Sequence, residues 1–306
     1  MKSRVSTDFI LLFIAFVWGA TFVIVQDTIH TLPPFWYLTI RFSLAAAVLL
    51  IFAFRADHTK YSINWQHHLL SGSILGFFLF AGYALQTFSL FYTTSGKSGF
   101  LTGISVALVP FLAKPILKTE ITPNGLIGVT MAVIGLYLLA FTDFQSINAG
   151  DLLAFLCAIF FALQIVYTGK YSPLANPLLL VAIQLSAVSL LSFVSALQFE
   201  PWQEVLHADI LFNPLVLVTL LITSLLATTL AFIAQTHVQK VAHPTRVALI
   251  FAMEPVFAAL ADYVWFGTKL SWRAMLGCLC ILAGMIVAEL PRSLLHRHKR
   301  TQSRSP

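Results

Sequence analysis

The chain has 306 residues, of which 58% are hydrophobic and only 10% charged. Its net charge is +6 and its mean hydropathy is +0.87. A soluble domain usually carries about 25% charged residues, so so few charges could not cover a soluble surface of this size. The composition therefore points to an integral membrane protein.

Ten apolar stretches of about 20 residues, the length of a membrane-spanning helix, follow one another in chain order. They cover 9–28, 34–54, 70–91, 97–117, 124–142, 152–170, 178–198, 214–237, 243–266 and 270–290. The connections are short, which leaves no room for a soluble domain, and the strand alternation of a barrel is absent. The first stretch is longer than a signal-peptide core and has no small-residue cleavage site after it, so it is expected to remain as a helix. Cys157, Cys278 and Cys280 all fall inside apolar stretches and are read as packing residues.

The second half of the chain repeats the first. From Asp8 to about Leu50 the counterpart lies 143 positions later, so Asp8 matches Asp151, Pro34 matches Pro177, and Arg41 falls on Gln184. From Gln86 to Ala140 the offset is 149, which pairs Gln86-Thr87 with Gln235-Thr236, Lys97 with Arg246, Gly128 with Gly277, and Gly135 with Gly284. The six additional residues fall near Phe199 to Asn213. The expected fold is all-α, with ten transmembrane helices in two inverted five-helix repeats. The repeats are expected over residues 1–145 and 146–291, followed by a basic tail, 292–306.

The basic residues orient this arrangement. With both termini in the cytoplasm, 14 Lys and Arg lie inside, 3 lie outside (Lys97, Lys269 and Arg273), and Arg41 is embedded. That asymmetry satisfies the positive-inside rule. The basic tail is read as an anchor beside anionic lipid rather than as a nucleic-acid site.

Several segments resemble a known family, the EamA type of the drug/metabolite transporter superfamily. They are Phe16-Val17-Trp18-Gly19-Ala20-Thr21-Phe22, Arg41, Gly99-Phe100-Leu101-Thr102 with Val109-Pro110, Met253-Glu254-Pro255-Val256-Phe257-Ala258-Ala259-Leu260, and the pair Gly277 and Gly284. The resemblance covers about 8–290. Where the family often has Gly-Glu, this chain reads Gly267-Thr268-Lys269. Similarity to this family implies a secondary transporter, usually an exporter of amino acids, other small metabolites or drugs.

Polar groups within hydrocarbon need a partner or a wet cavity. Glu254 stands mid-span beside Pro255, whose ring removes a backbone donor. Its carboxylate is read either as a proton-coupling or substrate site, or as a packing group bonded to a neighbouring helix. Arg41 lies seven residues, about 10 Å, into its span, and snorkels outward, binds a substrate carboxylate or holds helix ends together. Trp18, Tyr83, Gln86, Gln164, Tyr167, Gln235 and His237 are expected to wall one cavity between the halves.

The substrate-binding set is thus Trp18, Arg41, Tyr83, Gln86, Gln164, Gln235 and Glu254, with membrane lipid as surroundings. No cofactor is expected. Enzyme motifs such as HExxH, GxxxxGK[ST] and GxSxG are missing. His67-His68 and His296/His298 are placed in loops, without acidic or cysteine companions for a metal. The expected function is a secondary active transporter in a plasma membrane, specifically a bacterial inner membrane. The alternatives are a lipid-substrate translocase or an integral membrane enzyme.

Overall fold

The computed structural model describes residues 2–55, 64–93, 95–140, 148–205, 207–267 and 271–289; the basic tail 292–306 lies outside them. Among the described residues all regular structure is helical. In chain order the helices begin with α1 (Lys2–Thr28), α2 (Pro34–Arg55), α3 (Trp65–Ser89), α4 (Ser95–Gly103), α5 (Ser105–Leu117) and α6 (Pro123–Ala140). Next come α7 (Ala149–Tyr171), α8 (Pro177–Phe199) and two single turns, α9 (Trp202–Val205) and α10 (Ala208–Leu211). The order ends with α11 (Pro214–Ser224), a π-wound segment (Leu225–Leu230), α12 (Ala231–Val238), α13 (Pro244–Phe251), α14 (Glu254–Phe266) and α15 (Trp272–Glu289).

Among the described residues, eight helical stretches are long and apolar enough to cross a membrane, while Pro123–Leu139 and Trp272–Ala288 are shorter apolar helices. The expected spans 124–142 and 270–290 each run into residues outside those described. Phe9, Phe54, Leu70 and Val264 stand exposed, as side chains facing hydrocarbon should. The protein is a multi-pass membrane protein.

Helix starts follow local chemistry. Proline opens α2, α6, α8, α11 and α13, where its missing N–H is one the helix could not use. The Asn64, Asn176 and Asn213 side chains accept first-turn N–H groups, and Asn148 and Asp151 form a reciprocal capping box on α7. His67 and His68 lie in the first turn of α3, not in a loop. His68 is buried, donates from Nδ1 to the Asn64 carbonyl and accepts the Asn176 N–H at Nε2. It thereby ties the start of α3 to the start of α8.

Two expected single helices are broken. Ile104 interrupts 97–117, between α4 and α5, and Ala252-Met253 interrupts 243–266, between α13 and α14. Ile104 and Met253 are repeat partners at the 149-residue offset. At the second break Pro255 cannot donate to the Phe251 carbonyl, so the α ladder stops there. At the first, Gly103 precedes the break and weakens the helix.

Close helix crossings use glycine. In α6 and α15, an added Cβ on Gly128 would strike the Gly284 carbonyl and one on Gly135 the Gly277 carbonyl, and the reverse holds for both. The two helices cross antiparallel, with backbone against backbone. On α3, Gly72 and Gly76 admit Ile183, Gln184 and Ala187 of α8, while Gly19 on α1 sits against the Glu254 carbonyl and Ala258 of α14.

Two ion pairs mark opposite ends of the molecule. Lys97 on α4 pairs with Asp151 on α7 at 2.5 Å, and Arg246 on α13 pairs with Asp8 on α1 at 2.7 Å. Both acids and both bases are repeat partners. His30, just past α1, meets the Phe91 ring, just past α3, and Thr93 donates to Asp151, so these points share the Lys97 end. Gly169 of α7 abuts Pro244, which places the Arg246 end at the other extreme.

Candidate functional site

Between those ends lies a cavity walled by α1, α2, α3, α4, α7, α12, α13 and the starts of α5 and α14. All seven residues of the expected binding set line it: Trp18, Arg41, Tyr83, Gln86, Gln164, Gln235 and Glu254. Two others expected in the same wall lie elsewhere. Tyr167 packs on Phe78 and Tyr171, and His237 is exposed.

Arg41 is 4% exposed. An unpartnered arginine at the middle of a membrane helix costs about 3 kcal/mol. Here Nε donates to Thr228 Oγ1 at 2.8 Å and Nη2 to the Tyr83 hydroxyl at 3.4 Å. The guanidinium also lies 4.8 Å from the Tyr83 ring centre and 5.3 Å from that of Phe42, close enough for cation–π attraction. It faces inward, which removes the need to snorkel towards water.

Thr228 belongs to the π-wound segment, and so does Ala227, whose carbonyl accepts the Trp18 indole N–H at 2.7 Å. The Ala231 N–H bonds to the Leu226 and Thr228 carbonyls and passes over Ala227. One irregular turn therefore fixes two cavity side chains, a common place for π-bulges. Trp18 stacks edgewise on Phe251 at 4.8 Å and lies near Phe232 at 5.7 Å, while Tyr83 meets Phe161 at 5.2 Å. These rings give the cavity an aromatic wall.

The amides lie to either side. Gln86 donates to Thr102 at 3.4 Å, and Thr102 lies 3.7 Å from the Cys157 sulfur. Gln235 donates to Gln164 at 3.2 Å and to Gln239 at 2.9 Å. The Gln235 Oε1 atom is buried and has no hydrogen-bond partner among the described residues.

Glu254 is the first residue of α14, and its repeat partner Ser105 is the first residue of α5. Both line the cavity. The breaks thus point two half-helix N-termini, with their partial positive charge, at one space. Glu254 makes no side-chain hydrogen bond or ion pair among the described residues. Arg41 lines the same cavity.

Sequence reasoning missed Thr228, which sits behind Arg41, and the lining residues Thr21, Ser105, Phe232 and Phe251. Ser105 was open to discovery through its register with Glu254. Thr228 was not, because a π turn leaves no hydropathy signal.

The sequence profile of the EamA-like transporter family matches residues 5–141 and again 148–289. The chain belongs to the EamA-like transporter family. It is 30% identical over 287 residues to an uncharacterized transporter of Archaeoglobus fulgidus, an alignment covering 94% of this chain and 87% of that protein. It is 22% identical over 281 residues to the uncharacterized transporter YoaV of Bacillus subtilis, covering 90% and 93%. A protein crystal structure superposes with a TM-score of 0.74 at 18% identity, over 96% of this chain and 98% of the other, which is a likeness of fold. As an EamA-like protein the chain is a transporter, and the cavity is its candidate site for a small-molecule substrate.

Proposed function

We propose that this EamA-like protein is a secondary active transporter that exports a small amphipathic solute through the central cavity by alternating access. In this reading all ten apolar helices cross the membrane, as two five-helix halves of opposite sense spanning 1–145 and 146–291. Both termini then lie in the cytoplasm of a bacterial inner membrane. The observation that carries the reading is the pairing of cavity positions from the two halves: Trp18 with Phe161, Gln86 with Gln235, and Ser105 with Glu254. A substrate site at a repeat interface, beside broken helices, is what a rocking mechanism requires.

The side chains suggest what the solute carries. Arg41 offers a guanidinium to an anionic group, Glu254 takes a cationic group or a proton, and the aromatic wall covers an apolar body. Metabolites, amino acids and drugs of that kind fit. The rival reading, a lipid translocase, has less support. The apolar crevice that runs along α1 beside the π segment, lined by Phe9, Phe13 and Leu226, has no charged lining residue to meet a headgroup.

The test is to compare metabolite levels in cells with and without the protein, then to measure uptake of the leading candidate into inverted membrane vesicles. Vesicles carrying the protein should accumulate the solute, and Arg41→Gln should cut uptake about tenfold or more, as loss of a buried charge contact would. Equal uptake with and without the protein, for every solute whose level changed, defeats the proposal.

A further inference from the structure

We infer that Gln164, Gln235 and Gln239 form the closure at one end of the cavity, and that Gln239 is its key. This rests on the transporter reading above and names the element that must open for passage. The cavity walls obey the repeat up to a point and then stop. Gly99 and its partner Ala248 both line it, as do Gln86 and Gln235. Farther out, Val25, Thr87 and Leu90 line the wall at the Lys97 end. Their partners Thr168, Thr236 and Gln239 do not line it, although Thr87 and Leu90 are themselves 3% and 5% exposed, so the asymmetry lies in the wall and not in burial.

The chemistry at that closed end explains the difference. Gln235 donates to Gln239 at 2.9 Å and to Gln164 at 3.2 Å. Gln239 donates onward to the Ile165 carbonyl at 2.9 Å, and Gln164 donates to Thr168 at 3.1 Å. These bonds tie the end of α12 to α7. The repeat partners at the open end are Gln86, Leu90 and Thr21. Leu90 has no amide, and Thr21 bonds only to carbonyls of its own helix. No side-chain hydrogen bond joins α1 to α3 there among the described residues.

The ion pairs do not account for the asymmetry. Lys97–Asp151 and Asp8–Arg246 are both formed, although the cavity wall extends farther towards the Lys97 end, so in this reading they act as struts. Gln235 reaches both the cavity and the seal, and its Oε1 atom is without a partner among the described residues. A solute that donates to that atom would act directly on the closure.

The test needs no knowledge of the solute. In a background with Cys157, Cys278 and Cys280 replaced by Ala, a single cysteine at Ala248 reports access to the cavity. Its labelling by a membrane-impermeant thiol reagent is measured in right-side-out and inverted vesicles. In the parent chain one face should label fast and the other slowly. Gln239→Leu, which installs the residue of its repeat partner, should raise labelling from the slow face about fivefold, the population change one hydrogen bond's net contribution corresponds to. Gln164→Ala should do the same, while Lys97→Gln should not. Membrane abundance and a single gel-filtration peak in detergent check the fold of each variant. If both glutamine variants fold and leave the slow face unchanged, the closure is wrong and the cavity stands. If Ala248→Cys labels from neither face in any variant, the cavity falls, and the closure with it.

Discussion

Lys118 and Gly267 end α5 and α14 in the same left-handed backbone conformation, with φ of 54° and 68°. They are repeat partners at the 149-residue offset. Glycine adopts that conformation freely, whereas a residue with a Cβ pays for it.

Lys118→Gly should therefore stabilise the protein by about 1 kcal/mol. The measurement is thermal unfolding in detergent, where the apparent midpoint should rise. A midpoint that stays put or falls would mean that Lys118 recovers the strain through contacts of its stem.

The reciprocal glycines of α6 and α15 predict a sharp contrast between positions. Gly277→Val places a branched side chain against the Gly135 carbonyl and the Leu139 backbone, and overpacking of this kind costs about 1–3 kcal/mol. Abundance in the membrane should drop several-fold. Gly99→Ala meets nothing within 4 Å and should leave abundance unchanged. Equal abundance of the two variants would contradict the packing.

Glu254 tests proton coupling. An amide at that position cannot release a proton but keeps nearly the same shape. Glu254→Gln should stay folded and abundant, yet lose the pH dependence of solute flux. Normal flux with unchanged pH dependence in the variant would leave Glu254 a solute contact at most.

The orientation can be checked at the chain ends. Single cysteines at Ser3 and Ser303, in the cysteine-free background, should resist an impermeant thiol reagent in intact cells. The 14-to-3 split of basic residues motivates this. Labelling of either from outside would reverse the proposed topology.

The helices were legible because an apolar stretch of membrane length has little else to become. What hydropathy could not read was the backbone within them. Ile104 and Met253 are as apolar as their neighbours, so nothing in a window average marks a break there. The α3 start was misplaced for the opposite reason: Trp65-Gln66-His67-His68 lowers hydropathy, although Asn64 is a good helix cap. The cavity set was legible because polar groups deep in a span must face inward. Tyr167 and His237 lie nearer helix ends, where that constraint relaxes, and they turned elsewhere. Thr228 carried no mark at all, since its role depends on a π turn in α11–α12 that the matching stretch of α3 lacks.

The glycine crossing has a consequence for how such a chain could arise. Gly128 faces Gly284, which is the partner of Gly135, and Gly135 faces Gly277, which is the partner of Gly128. Each half thus presents the knob and the notch of the same joint. A gene encoding only one half would yield a protein whose α6 could lock onto the α6 of a second molecule inserted upside down, through the contacts that α6 and α15 now share. Fusion of two such genes would make the joint permanent and free the halves to diverge. Arg41 opposite Gln184, and Gln239 opposite Leu90, are differences that a dimer of identical subunits could never have acquired.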